Sequence, residues 1–144
     1  MRLLVVDHDS ALTALMVALF RRHDFVIDTA ADGEEAIEKI RGTDYSTILL
    51  DLMLPRMNGF EVIREMKSFA PEVLRRTIVI TAASNATLRH FDRSEVFELI
   101  RKPFELDELV SSVERCGEGA RAAGLPLDGG AKVPSIGSQR ANAK

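Results

Sequence analysis

The stretch TILLDLMLPRMNGFEVI, residues 47–63, contains one complete strand–loop–helix unit. Thr47 to Leu50 is a continuous apolar and β-branched run of strand length, as expected of a strand that is covered on both faces. Pro55 to Gly59 marks a loop. Asn58, followed three residues later by Glu61, has the cap and carboxylate pattern of a helix start. The unit therefore predicts a buried strand that runs through an acidic residue and a loop into a helix.

The same alternation extends over the first 116 residues. Strand-like runs are Leu3 to Val6 and Ile78 to Ile80, with the more mixed Phe25 to Thr29 and Phe97 to Ile100 suited to sheet edges. Helical patterns are Leu12, Leu15, Met16, Leu19 and Phe20; Leu106, Leu109, Val110 and Val113; the cap pair Asp32 and Glu35; and the weaker Ser84 to Phe91. The order βαβαβαβαβα predicts an α/β fold with a parallel sheet and helices on both faces.

Composition narrows the possible functions. Hydrophobic residues make up 46% of the 144 residues and the net charge is -3, which favours one ordinary globular domain and argues against non-specific nucleic-acid binding. The single cysteine, Cys116, cannot form an intrachain disulfide. Because no apolar run approaches the length of a membrane span or a signal-peptide core, we expect a cytoplasmic protein without membrane insertion.

The composition changes after residue 116. Six of the nine glycines fall within residues 117–144, which contain no aromatic residue and no sustained apolar period. Such a segment has little means of offsetting its ordering entropy. We therefore predict a folded domain over residues 1–116 and a flexible, Gly-rich C-terminal tail over residues 117–144.

Polar residues follow several of the predicted strands. Asp7 follows the first strand, Asp51 the third, Thr81 the fourth and Lys102 the fifth. Open α/β sheets bind ligands at the carboxyl ends of their strands, near the point where the strand order reverses. With the strand order 2-1-3-4-5, the first and third strands are neighbours. We then expect a pocket with two carboxylates and a cation at its rim.

At this point the sequence resembles the receiver domain of two-component response regulators. The resemblance covers residues 1 to about 115 and rests on an ordered set of motifs: VVD ending at Asp7, LLDLMLPRMNG around Asp51, ITA around Thr81, and RKPF around Lys102. It implies a flavodoxin-like, doubly wound sheet of five parallel strands in the order 2-1-3-4-5. It also implies a single-domain response regulator that assists its own phosphorylation and dephosphorylation and is not an enzyme.

The resemblance also assigns roles to individual residues. It makes Asp51 the phosphoacceptor, Asp7 and the backbone carbonyl of Met53 ligands of Mg²⁺ or Mn²⁺, Thr81 the hydroxyl that senses the phosphoryl group, and Lys102 its cationic partner. Independently of the resemblance, we expect Asp9 to act as a further metal ligand that compensates for His8 from the next position. The chemistry agrees, because a hard cation prefers oxygen ligands and positive charge offsets the repulsion between a carboxylate and a phosphoryl group.

Four positions are expected to modulate the site. His8 stands where the family usually has a second acid, and a nitrogen base is a poor Mg²⁺ ligand, so we expect weaker metal binding. Leu99 stands where the family commonly has the aromatic switch residue, and we predict that Phe97, of the same strand parity, packs in the core. Met53 and Ala83 flank the approach of water to the phosphoryl group, and neither can orient it.

The resemblance implies partners: a sensor histidine kinase or phosphotransfer protein as phosphodonor, and a downstream protein target on residues 84–116. Two other functions stay open. A pseudo-receiver would bind its partner without phosphate, which is consistent with His8 and Leu99. Alternatively, LLVVDHDSAL resembles the nucleophile loop of haloacid-dehalogenase-type phosphatases, which would make Asp7 the nucleophile, although Ala11 stands where that family has Thr or Val. The residue that carries phosphate distinguishes the three.

Overall fold

A computed structural model of the chain describes residues 1–124. Its strands are β1 (Arg2–Val6), β2 (Val26–Ala30), β3 (Thr47–Asp51), β4 (Thr77–Thr81) and β5 (Glu98–Arg101). They form a single sheet in the order β2-β1-β3-β4-β5, and every neighbouring pair is parallel. The doubly wound α/β fold and its strand order are therefore confirmed.

Helices cover both faces of the sheet. They are α1 (Ser10–Arg21), α2 (Gly33–Gly42), α3 (Gly59–Phe69), the four-residue α4 (Pro71–Leu74) and α5 (Leu106–Ala122). One buried cluster joins α1 and α5 to the sheet through residues such as Met16 and Val113, and the other joins α2 and α3 through residues such as Ile40 and Met66. Both β3 and β4 are buried along their full length, so their ends are fixed by packing on two sides.

The predicted caps form as expected. Asp32 accepts a hydrogen bond from the N–H of Glu35 at the start of α2. Asn58 and Glu61 form a reciprocal capping box at the start of α3, with both hydrogen bonds at 3.0 Å. These contacts satisfy backbone donors that a helix start leaves without partners. They also fix the direction in which each helix leaves the site end of the sheet.

The helix predicted over residues 84–91 does not form. The Ser84 hydroxyl accepts a hydrogen bond from the N–H of Thr87, and the N–H of Leu88 donates to the Ser84 carbonyl, but the segment continues as turns. Ser, Asn and Thr are weak helix formers, and Leu88 is the only buried residue of residues 84–91. A single helical turn therefore starts here and is not extended.

The domain boundary predicted at residue 116 is also corrected, because α5 continues to Ala122. Gly117 and Ala120 are buried, and a Cβ on Gly117 would lie 2.5 Å from the Sδ of Met1. This glycine permits close packing against the N-terminus and does not break the helix. Gly124, with φ of +92°, follows the helix end. The remainder of the predicted tail, residues 125–144, lies outside the described residues.

Of the apolar positions predicted from the sequence pattern, Leu106 at the start of α5 is 38% exposed, and two others are exposed as well. Phe97 precedes β5 and is 36% exposed, with its ring facing the Arg115 guanidinium at 5.8 Å. Leu15, which belongs to the apolar pattern of α1, is 47% exposed. Both sit at the edge of a helical or strand stripe, where the apolar period continues past the width of the surface that covers it.

Among residues 1–124, no helix is long and apolar enough to cross a membrane.

A buried tyrosine ties the edge strand β2 to the rest of the sheet. Tyr45 is 1% exposed and donates its hydroxyl to Asp28 at 2.7 Å, and Arg2 binds the same carboxylate at 3.1 Å. Burial alone would raise the pKa of Asp28, but the hydrogen bonds from Arg2 and Tyr45 hold it below the ordinary value. The ionised carboxylate therefore stabilises the fold at neutral pH.

We expect Tyr45→Phe to lower the free energy of unfolding at pH 7 by about 1–2 kcal/mol, since it removes a hydrogen bond to a partly buried charged acceptor. Urea denaturation measures the change. Because the pKa of Asp28 is lowered by folding, its contribution is complete above the unfolded-state pKa and is lost as the pH falls through the folded-state pKa. The difference between Tyr45→Phe and the parent should therefore shrink in acid. An equal difference at neutral and acidic pH would contradict this account.

Candidate functional site

Three charged side chains meet at the carboxyl end of the sheet. Asp7 follows β1, Asp51 ends β3 and Lys102 follows β5. The Lys102 Nζ lies 3.1 Å from the Asp7 Oδ2 and 3.2 Å from the Asp51 Oδ2. Both carboxylates are buried, at 4% and 6% exposure, so each is shielded from water while remaining at the sheet edge. The sequence prediction that these three residues converge agrees with this arrangement.

The surroundings of the cluster shift the pKa values of Asp51 and Lys102. Burial raises the pKa of the Asp51 carboxyl above its ordinary value, and the Met53 N–H and the Lys102 charge offset this only in part. Burial also opposes the charged form of Lys102, but the carboxylates of Asp51 and Asp7 outweigh it and raise the pKa of the ammonium. Lys102 is therefore a permanent cation between two acids that repel each other.

Thr81 ends β4 beside this cluster and is fully buried. Its Oγ1 accepts a hydrogen bond of 2.9 Å from the N–H of Ala83, which leaves the hydroxyl proton to be donated elsewhere. The carbonyl of Thr81 accepts from the N–H of Lys102 at 2.9 Å, so the two residues are joined through the backbone. The peptide bond between Lys102 and Pro103 is cis.

The loop after Asp51 is held close to the strand end. The Asp51 Oδ1 accepts a hydrogen bond of 3.0 Å from the N–H of Met53, and the Leu52 carbonyl accepts one of 2.9 Å from the N–H of Gly59. A Cβ on Gly59 would lie 2.5 Å from the Leu52 Cα and 2.6 Å from the Asp51 carbonyl oxygen, so only glycine fits here. The Met53 side chain points outward and is 58% exposed.

His8 and Asp9 lie at the rim. The N–H of Asp9 donates to the Asp7 Oδ1 at 2.8 Å, and the Asp9 Oδ1 caps α1 by accepting from the N–H groups of Ala11 and Leu12. The imidazole of His8 is exposed. The cap uses only the Oδ1 oxygen of Asp9. The role of Asp9 as a metal ligand stays a prediction.

The donor chemistry of the site fits a hard divalent cation. Asp7 and Asp51 supply carboxylate oxygens, and Mg²⁺ is typically held by one or two carboxylates with several waters. Within residues 1–124, no three His, Cys, Asp or Glu side chains come together as a metal cluster, so an all-protein cage is not formed. A cation at this site would therefore depend on two acids, backbone oxygen and solvent.

Two other positions have clear surroundings. Leu99, on β5, is partly buried against the core cluster that contains Leu88 and Val96. Arg101, for which no sequence motif predicted a role, donates to the Ala83 carbonyl at 3.1 Å and to the Asn85 Oδ1 at 2.5 Å. Its place beside Lys102 was the only available signal, because the reach of its side chain depends on the fold of the loop after β4.

Comparisons with known proteins agree with this geometry. The family model "Response regulator receiver domain" matches residues 3–114. The transcriptional regulatory protein TcrA of Mycobacterium tuberculosis is 34% identical over 111 residues, which are 76% of this chain and 43% of TcrA. DltR of Streptococcus agalactiae, also a transcriptional regulatory protein, is 31% identical over 118 residues, 78% of this chain and 50% of DltR. The chain thus spans about half the length of these relatives.

Solved structures give the same result. A receiver domain protein from Methanospirillum hungatei superimposes with a TM-score of 0.76 at 22% identity, covering 85% of this chain and 98% of that one, which establishes the shared fold. TrrA of Thermotoga maritima, solved with Mg²⁺ and beryllofluoride, has a TM-score of 0.71 at 30% identity and covers 80% of this chain and 97% of that one.

Proposed function

Because this chain belongs to the response regulator receiver family, we propose that its Asp51 accepts a phosphoryl group from a sensor histidine kinase or a phosphotransfer protein. The phosphorylated state is then read by a downstream protein. The observation that carries the proposal is the buried set of Asp7, Asp51 and Lys102, in which one ammonium contacts both carboxylates. A structural ion pair would need only one of these acids.

The transfer reaction uses the ionised Asp51. A carboxylate oxygen attacks the phosphorus of a phosphohistidine, a P–O bond forms, the donor P–N bond breaks, and the donor nitrogen takes up a proton. Lys102 offsets the negative charge that gathers between nucleophile and phosphoryl group. The Thr81 hydroxyl, whose oxygen is held by Ala83, supplies a proton donor at the same strand edge. Hydrolysis of the P–O bond returns Asp51 and releases inorganic phosphate.

A divalent cation would be held by Asp7, Asp51 and the Met53 carbonyl, with Asp9 as a further oxygen donor. When bound, Mg²⁺ or Mn²⁺ would neutralise phosphoryl oxygens and so lower the repulsion that opposes attack. The chain itself orients the nucleophile, because the N–H of Met53 fixes one oxygen of Asp51 at 3.0 Å. Lys102 occupies the other oxygen.

The proposed target surface lies over residues 84–116 and is not formed by helices alone. It combines the turn segment after β4 with β5 and the exposed side of α5. Phe97 and Leu106 are exposed apolar residues there, and Arg115 bridges to Glu98 at 3.2 Å. An exposed aromatic ring beside an arginine is typical of a protein contact surface.

The function is tested by incubating the protein with acetyl phosphate and Mg²⁺ and mapping the modified residue. Phosphate on Asp51 supports the receiver function. Phosphate on Asp7 would indicate the phosphatase-like alternative, in which the first acid is the nucleophile. A protein that is folded and binds Mg²⁺, yet takes no phosphate from acetyl phosphate or from histidine kinases, would be a pseudo-receiver.

We expect His8→Asp to tighten Mg²⁺ binding about fivefold, because it adds a carboxylate beside two that already converge. Isothermal titration of the unphosphorylated protein measures the affinity. His23→Asp is the matched control. It adds the same charge at a residue that lies beyond the C-terminal end of α1, away from the site. If both variants bind Mg²⁺ equally, the effect is one of net charge. If neither differs from the parent, Asp9 or solvent already completes the site.

A further inference from the structure

Arg101 is anchored in a way that an ordinary surface arginine is not. Its two terminal nitrogens donate to the Ala83 carbonyl at 3.1 Å and to the Asn85 Oδ1 at 2.5 Å. Among the described residues, no carboxylate forms an ion pair with it. The guanidinium therefore binds two neutral oxygens of a single loop, which requires the planar fork of arginine and a fixed loop conformation.

The same loop holds the Thr81 hydroxyl. The N–H of Ala83 donates to the Thr81 Oγ1 at 2.9 Å, while the carbonyl of Ala83 accepts from Arg101. One residue thus connects the hydroxyl at the site to the guanidinium at the surface. Arg101 is also the register partner of Thr81 in the β4–β5 pair and directly precedes Lys102, so it lies between the two residues of the site that it adjoins.

We propose that Arg101 is a positioning residue for the phosphoryl site, an inference that rests on the proposed phosphorylation of Asp51. By holding Ala83 and Asn85, it fixes the Thr81 hydroxyl where a phosphoryl oxygen on Asp51 will need a donor. Residues 84–91 form turns and no regular helix, so no helix holds Ala83 in place. The hydrogen bonds from Arg101 supply that restraint instead. Leu99, which is partly buried in the core, cannot form such hydrogen bonds.

The role predicts a specific pattern across variants. Arg101→Met should reduce the rate of labelling by acetyl phosphate and the affinity for beryllofluoride, each about fivefold, because the hydroxyl is less well placed. Arg101→Lys should behave almost like Arg101→Met, since lysine keeps the charge but cannot bridge both oxygens. Asn85→Ala, which removes one of the two contacts, should lie between these and the parent. Mg²⁺ affinity should stay unchanged in all of them.

The controls separate positioning from charge and from stability. Arg41→Met removes an arginine that bridges to Glu65 and stacks on Phe69, remote from the site, and should label at the parental rate. The double variant Arg101→Met with Asn85→Ala should be no slower than Arg101→Met alone, because both changes remove one coupled arrangement. Thermal unfolding of each variant establishes that it is folded.

Several results would overturn the positioning role. They are parental labelling and beryllofluoride affinity in both Arg101→Met and Asn85→Ala; parental behaviour of Arg101→Lys, which would leave charge as the cause; and a loss of Mg²⁺ affinity in proportion to the loss of labelling. Absence of phosphate on Asp51 in the parent protein would instead overturn the proposed function, so the two failures are distinct.

Discussion

Asp51→Asn is expected to abolish labelling by acetyl phosphate while leaving the protein folded. The amide is nearly the same size as the carboxyl but has no nucleophilic oxygen anion. It can still accept a hydrogen bond from the N–H of Met53, and Lys102 keeps its contact with Asp7. Labelling is measured by mass spectrometry of the intact protein.

The stability of this variant gives a second readout. Because folding raises the pKa of Asp51, ionisation of this carboxyl destabilises the folded state. The penalty grows as the pH rises from the unfolded-state pKa through the raised folded-state pKa of Asp51, and it is complete above the latter. We therefore expect Asp51→Asn to have a melting temperature at pH 7 equal to or above that of the parent, with the difference disappearing in acid.

Asp24→Asn is the matched control for this substitution. Asp24 is exposed and has φ of +65°, a left-handed conformation that asparagine also adopts readily. It should label like the parent. Undiminished phosphate on the Asp51→Asn protein would contradict the assignment of the phosphoacceptor, and labelling that moves to Asp7 would point to the phosphatase-like alternative.

The site could be predicted from the sequence because its members are placed by the strands. Asp7, Asp51 and Thr81 each follow a buried apolar run, and parallel strands bring their carboxyl ends to one edge of the sheet. Helix starts at Asp32 and Asn58 were equally accessible, since a cap and its partner lie three residues apart. Local signals and tertiary placement agree at all of these positions.

Other features depend on contacts between distant parts of the chain. The helical pattern at residues 84–91 is too short to decide between a helix and a single turn. The glycines after residue 116 suggested a flexible tail, yet Gly117 lies inside α5 and packs closely against Met1. The contacts of Arg101 require the path of the loop that carries Ala83 and Asn85. The spacing of residues in the sequence does not predict the course of that loop.

The lifetime of the phosphorylated state is expected to depend on Met53. Hydrolysis of an aspartyl-phosphate needs a water in line with the phosphorus, and a polar side chain beside the site is the usual means of orienting it. Met53 is 58% exposed next to Asp51, and its thioether is a weak hydrogen-bond acceptor on a flexible chain that can cover the phosphoryl group. Ala83 is buried at 8% exposure and has no polar side-chain atom. We therefore expect slow self-dephosphorylation.

Met53→Asn should accelerate phosphate loss about tenfold at saturating Mg²⁺, since the amide can hold the attacking water. Adding Ala83→Glu should accelerate it further if the carboxylate reaches the same water. Met53→Leu, which keeps an apolar chain of similar size, is the control and should decay at the parental rate. The measurement is the decay of labelled protein after the phosphodonor is removed. Equal decay of the Asn and Leu variants would show that solvent access, and not orientation of the water, governs hydrolysis at this site.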